Sequence, residues 1–343
     1  MKKNSPNIIG LLYFLVHFIL ETTTFYIVSF YTKSEYFWYM AVLFDLFAFV
    51  PQALIGTISD KYRKINFGLI GVILTTTAVT LLKLEAHYIL VLTFLTIGNC
   101  FIHVHGAEAT LRTSNGKMFP SALFVSGGAF GIITGKLLAM HNITPLIVII
   151  VNIISFLIIL YTKKYQLSED TNLNKYNYAN SNMNIKIVIL LAVIVVAVRS
   201  YMGYAIPTGW NNTLYKTILL YCFMGVGKVT GGILIDKINI KMAAIISTVI
   251  SLPFILFGNS HMIISLIGIM FFSMTMPVTL AIIVSELKTN PGLAFGLTTT
   301  GLFVGSLPVF IYRITSVSLN YITLTILTII SIIILYKITD KRR

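Results

Sequence analysis

The sequence predicts an all-α integral membrane protein with twelve transmembrane helices in two pseudo-symmetric halves of six helices. Three observations support this fold class. The chain of 343 residues is 57% hydrophobic and only 10% charged, with a mean hydropathy of +0.88, whereas a soluble domain carries about 25% charged residues. Apolar stretches of about 20 residues, the length that crosses a bilayer, recur along the whole chain. A loop motif of the first half also returns in the second half.

Each predicted span is an apolar stretch that ends at polar or turn-forming residues. The connections are short except for residues 163–184, which are polar and rich in Asn. This segment predicts a cytoplasmic linker between an N-terminal half, residues 1–162, and a C-terminal half, residues 185–343. The predicted spans are 7–31, 35–58, 65–82, 87–110, 117–140, 143–162, 185–206, 211–235, 240–258, 261–286, 291–313 and 319–337.

The positions of Lys and Arg predict the orientation of the chain. If the N-terminus is cytoplasmic, the inside loops and tails hold 18 of the 25 basic residues. Basic residues accumulate on the cytoplasmic side of membrane proteins, so we expect a multi-pass protein of the plasma (inner) membrane with both termini cytoplasmic. The basic residues that give the formal net charge of +14 are scattered between apolar spans and form no patch. No nucleic-acid partner is therefore expected.

The repeated loop motif follows the second span and returns after the eighth. Its aspartates are 176 residues apart, about half of the chain length, and such a duplication is typical of transporters built from two repeats. We expect gating loops in which Asp60 caps the third span or pairs with a basic residue across the interface of the halves. The basic residues alone could be cytoplasmic anchors. The motif residues are Gly56, Asp60, Lys61 and Arg63 in the first copy and Gly232, Asp236 and Lys237 in the second.

Glycines in spans 5 and 11 repeat at nearly the same offset as the aspartates of the loop motif. Those of span 5 recur every four residues, which places them on one helix face and allows a neighbouring backbone to approach closely. Two of them align with glycines of span 11 at an offset of 174 residues. Two interpretations are open, a static packing seam and a smooth seam that slides during a transport cycle. The seam residues are Gly127, Gly128, Gly131, Gly135, Gly301 and Gly305.

Charged residues inside spans are costly in lipid and are therefore candidates for function. Glu21 in span 1 and Arg199 in span 7 are 178 residues apart and occupy nearly equivalent depths in the two halves. We expect Glu21, with Asp45 nearby, to carry a coupling proton, and Arg199 to be its counter-ion or to bind an anionic substrate group. A static Glu21–Arg199 ion pair is the alternative. His17, one turn before Glu21, either relays the proton or is simply hydrogen-bonded in the bundle.

Other ionisable residues in the spans are harder to interpret from sequence. His103 and His105 stand close to Glu108 in span 4, but only His105 and Glu108 share a helix face, so neither a metal site nor a cofactor is predicted. Arg112 follows Glu108 at i+4, a spacing that predicts a structural ion pair. Lys228 faces either the central cavity, where it favours anions, or the charges of the second loop.

On these motifs the chain resembles the major facilitator superfamily, whose signature loop is roughly G-x-L-x-D-[RK]-x-G-[RK]-[RK]. Gly56, Asp60 and Lys61 match the first copy, and Arg63 stands in place of the second glycine. In the second copy Asn239 holds that place, and Asn tolerates the left-handed turn that a glycine allows. The resemblance implies a twelve-helix fold in which spans 1 and 7 face each other across a central cavity.

Within that superfamily the chain is similar to the fosmidomycin-resistance branch of drug exporters. This resemblance implies a secondary transporter that exports a small drug-like or metabolite molecule by proton-coupled antiport. Uptake of a small polar or anionic solute and a non-transporting membrane sensor are the alternatives. The similar stretches are residues 14–18, 101–109, 127–131, 277–287 and 291–292.

Motifs of enzymes and pumps are absent from the sequence. It contains no H-E-x-x-H, no G-x-S-x-G and no P-loop. We therefore expect no enzymatic activity, and we expect energy to come from an ion gradient. The expected partners are a small-molecule substrate, protons and the lipid bilayer, and nothing in the sequence requires more than a monomer.

Overall fold

The computed structural model describes residues 6–32, 34–35, 37–166, 175–179, 182–312, 314 and 316–339. The elements in these ranges are helices, without a strand. Apolar segments become helices because a helix satisfies its own backbone hydrogen bonds where no water is present. The helices are α1 Pro6–Phe30, α2 Phe37–Phe49, α3 Pro51–Lys61, α4 Phe67–Lys83, α5 Tyr88–Thr113, α6 Phe119–Met140, α7 Pro145–Gln166, α8 Ile185–Ala205, α9 Leu214–Lys237, α10 Ile240–Phe257, α11 Met262–Ser273, α12 Thr275–Glu286, α13 Pro291–Ile311 and α14 Val317–Thr339.

These fourteen helices correspond to the twelve predicted spans. The pairs α2–α3 and α11–α12 each form one span, and with them eleven stretches of the described chain are long and apolar enough to cross a membrane. The twelfth, α4, is a shorter apolar helix of 17 residues. Observed helix ends lie within four residues of the predicted ones. The predicted fold class is therefore confirmed.

Two spans are broken where the sequence offers a proline. Pro51 opens α3 directly after Val50, and proline lacks the N–H that would continue the hydrogen-bond ladder. The second break, at Met274, precedes Pro277 in the first turn of α12. Neither break was predicted, because an apolar stretch of bilayer length carries no signal for an interruption.

The glycine seams lie inside the halves. Gly127, Gly131 and Gly135 of α6 lie against backbone atoms of α1, and Gly301 and Gly305 of α13 lie against α8. A side chain at these positions would separate helices that now touch backbone to backbone. The seams thus join spans 1 and 5 in one half and spans 7 and 11 in the other. The seams are therefore contacts within each half, and whether they slide or rock during a transport cycle stays a prediction.

Contacts between the halves run mainly through α3 with α13 and α6 with α9. Part of the predicted linker adds to them. The backbone N–H of Tyr178 donates to Ser285 Oγ of the C-terminal half at 2.9 Å, and the Tyr176 hydroxyl donates to the Leu111 carbonyl of the N-terminal half at 3.0 Å. Burial raises the pKa of Tyr176, so this hydroxyl stays a donor. Residues 167–174 of the predicted linker lie outside the described residues.

The seam makes a prediction about stability. A Cβ atom at Gly131 would meet the Phe18 carbonyl oxygen, as well as Glu21 Cβ at 2.8 Å. Gly131→Ala should therefore lower the free energy of unfolding by about 1–3 kcal/mol, the usual cost of overpacking. The measurement is the thermal midpoint of the purified protein in detergent.

Gly203→Ala is the matched control, because the nearest atom to a Cβ there is Phe272 Cε1 at 3.8 Å. It should leave the midpoint unchanged or raise it slightly, since Ala is the better helix former. Equal losses at both positions would show that close backbone packing does not explain the glycines of α6.

Candidate functional site

Asp60 reaches from the last turn of α3 to the start of α13 in the other half. Its carboxylate accepts hydrogen bonds from the backbone N–H groups of Gly292, at 3.1 Å, and Leu293, at 3.0 Å. The first N–H groups of a helix have no partner within the helix and form its positive end, so a carboxylate is stabilised there. Gly56, one turn earlier, lies against the Gly292 backbone. The two helices therefore meet where neither has a side chain.

Asp236 makes the equivalent contact in the opposite direction. Its carboxylate accepts from the backbone N–H groups of Met118, at 2.7 Å, and Phe119, at 2.9 Å, at the start of α6. Gly232, one turn earlier on α9, lies against Ala122 of α6. Each half thus sends the aspartate of its repeated loop to the glycine-rich helix of the other half. We call these two contacts the aspartate gates, after the gating role that the sequence predicts for the loops.

Arg112 of α5 binds the Asp60 carboxylate of the first gate. Its guanidinium donates to Asp60 Oδ1 at 2.9 Å and to Glu108 Oε1 at 2.7 Å, and all three side chains are buried. Ser59 donates to the other oxygen of Glu108 at 2.5 Å. The predicted Glu108–Arg112 ion pair is confirmed. Arg112 also holds the Asp60 carboxylate in place for its contact with α13. Sequence spacing did not indicate this second role.

Of the two predicted roles of Asp60, capping of the third span is wrong, and its partner across the interface of the halves is a helix start rather than a basic residue. Asn66 caps that helix, α4, by accepting from the backbone N–H of Leu69 at 2.9 Å. Asn239 does the same for α10, accepting from Met242 N at 2.8 Å. The backbone of Asn239 is extended rather than left-handed, with φ of −177°. An asparagine placed three residues before the bonded N–H group is a helix N-cap, and this signal was available in the sequence.

The basic residues of the two loops are exposed. Lys61 lies over the ring of Tyr62 at 5.2 Å, and Arg63 donates to the Asp60 carbonyl at 3.4 Å. Lys237, in the second loop, is also exposed. These positions agree with an anchoring role at a membrane surface.

A second group of side chains lies in the centre of the N-terminal half. His17 and Glu21 come from one face of α1 and His103 from α5, and all three are buried. The two imidazole Nε2 atoms are 2.9 Å apart, and Glu21 Oε1 lies 3.5 Å from His103 Nε2 and 4.0 Å from His17 Nε2. Asn99 donates to Glu21 Oε1 at 3.2 Å. We call His17, Glu21 and His103 the histidine–glutamate cluster.

Hydrogen bonds to the backbone fix the tautomer of both histidines. His17 Nδ1 lies 2.8 Å from the Phe124 carbonyl oxygen, and His103 Nδ1 lies 3.0 Å from that of Asn99. A carbonyl oxygen only accepts, so both Nδ1 atoms carry hydrogen and, in the neutral rings, both Nε2 atoms carry lone pairs. These lone pairs and the Glu21 carboxylate converge on one point. A proton or another cation placed between these groups would stabilise the arrangement.

Arg199, the residue predicted opposite Glu21, has different neighbours. Its guanidinium lies over the ring of Phe272 at 5.1 Å, and its Nε has no hydrogen-bond partner among the residues that the structure describes. Among the described residues, the ion pairs of Glu21 are with His17 and His103. Arg199 borders a cavity of about 10 Å³ between α6, α8, α12 and α13, which has room for about one water molecule.

The other two predicted charges face the same centre. Lys228 donates to the Val125 carbonyl at 3.4 Å and lies within electrostatic range of Glu21 and Arg199. It therefore faces the interior rather than the second loop. Asp45 of α2 lies within electrostatic range of Glu21. The structure places these residues around one interior region without pairing Glu21 to Arg199.

Comparison with known proteins identifies the fold. No protein-family model and no curated protein sequence matches the chain. Solved structures similar to it over nearly the whole length include the fucose:proton symporter of E. coli (13% identity, 97% of this chain, 98% of that chain, TM-score 0.65). Others are the human organic anion transporter MFSD10 (12%, 96%, 98%, 0.67) and a bacterial homologue of the iron transporter ferroportin in an outward-facing state (11%, 95%, 99%, 0.57).

These similarities show that the chain has the fold of major facilitator superfamily transporters. At such low sequence identity the likeness concerns the fold alone. It assigns no branch within the superfamily, so the resemblance to the fosmidomycin-resistance exporters stays a prediction.

The ion-pair network of Arg112 makes a prediction about stability. Arg112→Gln leaves Glu108 and Asp60 buried without their cation and should destabilise the protein by about 3–5 kcal/mol. Adding Glu108→Gln removes one of the two uncompensated charges and should recover part of the loss. Thermal midpoints in detergent test both statements.

Arg63→Gln is the control, since Arg63 is basic, lies in the adjacent loop and is exposed. It should change the midpoint little. If the double variant were less stable than Arg112→Gln alone, the loss would not come from an unpaired buried charge.

Proposed function

We propose that the protein is a secondary active transporter that works by alternating access between its two halves. The observation that carries this proposal is the pair of reciprocal aspartate gates. Each gate consists of hydrogen bonds from one carboxylate to one helix start. Such contacts can break and re-form while the glycine seams keep each half rigid. Because the same contact occurs twice across the interface of the halves, both contacts can break together and open one face of the protein.

The gates keep one face of the protein closed, and we propose that this face is cytoplasmic. It carries the repeated loops, whose exposed basic residues suit the anionic inner leaflet. This orientation places both termini in the cytoplasm. We also propose that the protein is a monomer in the plasma (inner) membrane. While the gates are closed, the small cavity beside Arg199 is too narrow for a substrate molecule. The halves must separate before a substrate reaches it.

The histidine–glutamate cluster is proposed to carry the coupling proton. Its two Nε2 atoms and the Glu21 carboxylate converge on one point where a proton can be shared, and Asn99 donates a hydrogen bond to Glu21 Oε1. His17 thereby has the relay role that its spacing from Glu21 suggests. Arg199 and Lys228, the nearby cations, are proposed to receive an anionic group of the substrate. The absence of nucleotide-binding motifs supports an ion gradient as the source of energy.

We propose export of a small drug-like or metabolite molecule by proton antiport. The support is the resemblance to the fosmidomycin-resistance branch, which includes the stretches around His17 and His103. Proton-coupled uptake of a small polar or anionic solute is the second candidate. The interior cations Arg199 and Lys228 favour it, and a fucose:proton symporter and an organic anion transporter share the fold. A non-transporting sensor is the third candidate, and neither an enzymatic activity nor a cofactor is proposed.

The export proposal is tested by growth inhibition in cells that express the protein. Wild type should raise the inhibitory concentration of at least one compound in a panel that includes fosmidomycin. Glu21→Gln should remove this protection at equal membrane expression, because the neutral amide cannot take up and release a proton. Glu35→Gln, an exposed acid in the loop after α1, should protect like wild type.

Two other results of the growth assay would contradict parts of the proposal. Protection by Glu21→Gln equal to that of wild type would rule out Glu21 as the proton carrier. A lack of protection from every compound would reject export and direct the search to the uptake of nutrients.

The gate proposal is tested with a reporter thiol. Ser121 lies in the first turn of α6 and is buried beneath the Asp236 gate. In a Cys100→Ala, Cys222→Ala background, Ser121→Cys should react slowly with an impermeant maleimide applied to inside-out vesicles. Asp60→Asn and Asp236→Asn weaken the charge–helix contacts, so each should speed labelling several-fold while leaving substrate binding intact.

Glu286→Gln serves as the control, because Glu286 is also an acid at a helix end. It should leave the labelling rate unchanged. Labelling rates that are equal in all variants would mean that the aspartates do not hold this face closed.

A further inference from the structure

We infer that the histidine–glutamate cluster is a binding site for one divalent first-row transition-metal ion, such as Zn²⁺, Co²⁺ or Fe²⁺. Two helices bring two imidazoles and one carboxylate together inside the membrane, and their ligand atoms all lie within 4.8 Å of one another. The inference concerns binding, and it does not depend on which molecule the protein transports.

The spacing of the three ligand atoms suits a single ion. Two ligands bound at about 2.0–2.1 Å to a tetrahedral ion are roughly 3.3 Å apart. The observed separations are 2.9 Å between the two Nε2 atoms and 3.5 and 4.0 Å from these atoms to Glu21 Oε1. These values bracket the tetrahedral edge, so shifts of about 0.5 Å bring all three atoms to bonding distance. The fourth position is left for water or another small ligand.

The hydrogen bonds behind the ligands are those of a metal site. A histidine that binds a metal usually donates its other ring N–H to a carbonyl or carboxylate, which fixes the ring and directs its lone pair. His17 does so toward the Phe124 carbonyl and His103 toward that of Asn99. Asn99 also donates to Glu21 and orients its carboxylate. Imidazole nitrogens favour Zn, Fe, Cu and Ni over Mg and Ca, which prefer oxygen ligands alone.

Residues from both halves border the cluster. Gly128 faces His17 Nε2, which a Cβ atom there would approach to 2.7 Å. On the other side, the ring of Phe295 from α13 stacks on His103 at 6.3 Å between centroids. Separation of α13 from the N-terminal half would therefore uncover His103. The site opens toward the interface of the halves rather than toward lipid.

Nearby charges act on the ion in opposite directions. The Asp45 carboxylate favours a cation at the cluster, and the Lys228 ammonium opposes it; both lie within electrostatic range of Glu21. Lys228→Met should therefore strengthen metal binding. A metal ion also takes the lone pairs that would otherwise hold a shared proton, so binding should release a proton.

The test is a titration of the purified, chelator-treated protein in detergent with Co²⁺, followed by visible absorption. One Co²⁺ per chain should bind with the intense bands of a four- or five-coordinate site, and Zn²⁺ should displace it. His17→Gln and His103→Gln should each weaken the affinity at least tenfold. A pH indicator in weak buffer should report proton release on binding.

His105→Gln is the matched control. His105 is buried on the same helix as His103 but bonds to the Tyr13 hydroxyl, at 3.2 Å, away from the cluster. Its affinity for Co²⁺ should equal that of wild type. Where a histidine variant fails to fold, Glu21→Gln, which keeps the side-chain shape, replaces it and should also weaken binding.

Three outcomes would overturn the inference. They are the absence of a bound Co²⁺, binding that is equally strong in the His17, His103 and Glu21 variants, and proton uptake by the cluster without any response to metal. Because each is measured without transport, a failed metal titration and a failed growth assay are separate results.

Discussion

A charged side chain inside a bilayer is stable only when neighbouring groups replace the water that it has lost. This constraint determines where the charges of this protein lie. Asp60 and Asp236 are solvated by the unpaired N–H groups at helix starts, and Arg112 lies between two carboxylates. Glu21 lies among two imidazoles and an amide. Because each charge needs a partner from another helix, the charges also determine which helices pack together.

The internal repeat is reproduced in the gates but not in the centre. Both halves contain a glycine seam, an aspartate directed at the other half and an asparagine cap on the following helix. Glu21 and Arg199 occupy equivalent depths, yet one is surrounded by nitrogen ligands and the other lies over an aromatic ring. The aspartate contacts occur in both halves, whereas the histidine–glutamate cluster, as found among the described residues, lies in the N-terminal half.

The predictable part of this structure is the part that depends on one helix at a time. Apolar length placed the spans, and the i+4 spacing placed the Glu108–Arg112 pair. The partners of Asp60 in the other half are more than 230 residues away and are backbone N–H groups of α13, which have no side-chain signature. The contact of His103 with Glu21 was not predicted, because helical periodicity orders residues within one helix and says nothing about which faces of α1 and α5 meet. The central cluster therefore required the packing of two helices.

Helix α13 is the element through which the gate and the cluster act on each other. Its first turn is bonded to Asp60, and Phe295, one turn later, stacks on His103. The same ring packs against Phe124 at 6.0 Å, and the Phe124 carbonyl holds His17. A movement that withdraws the start of α13 from Asp60 also removes the aromatic cover of the cluster. Under the proposed alternating-access function, a cation held there would be enclosed while this gate is closed and exposed when it opens, which would link ion access to the state of the gate.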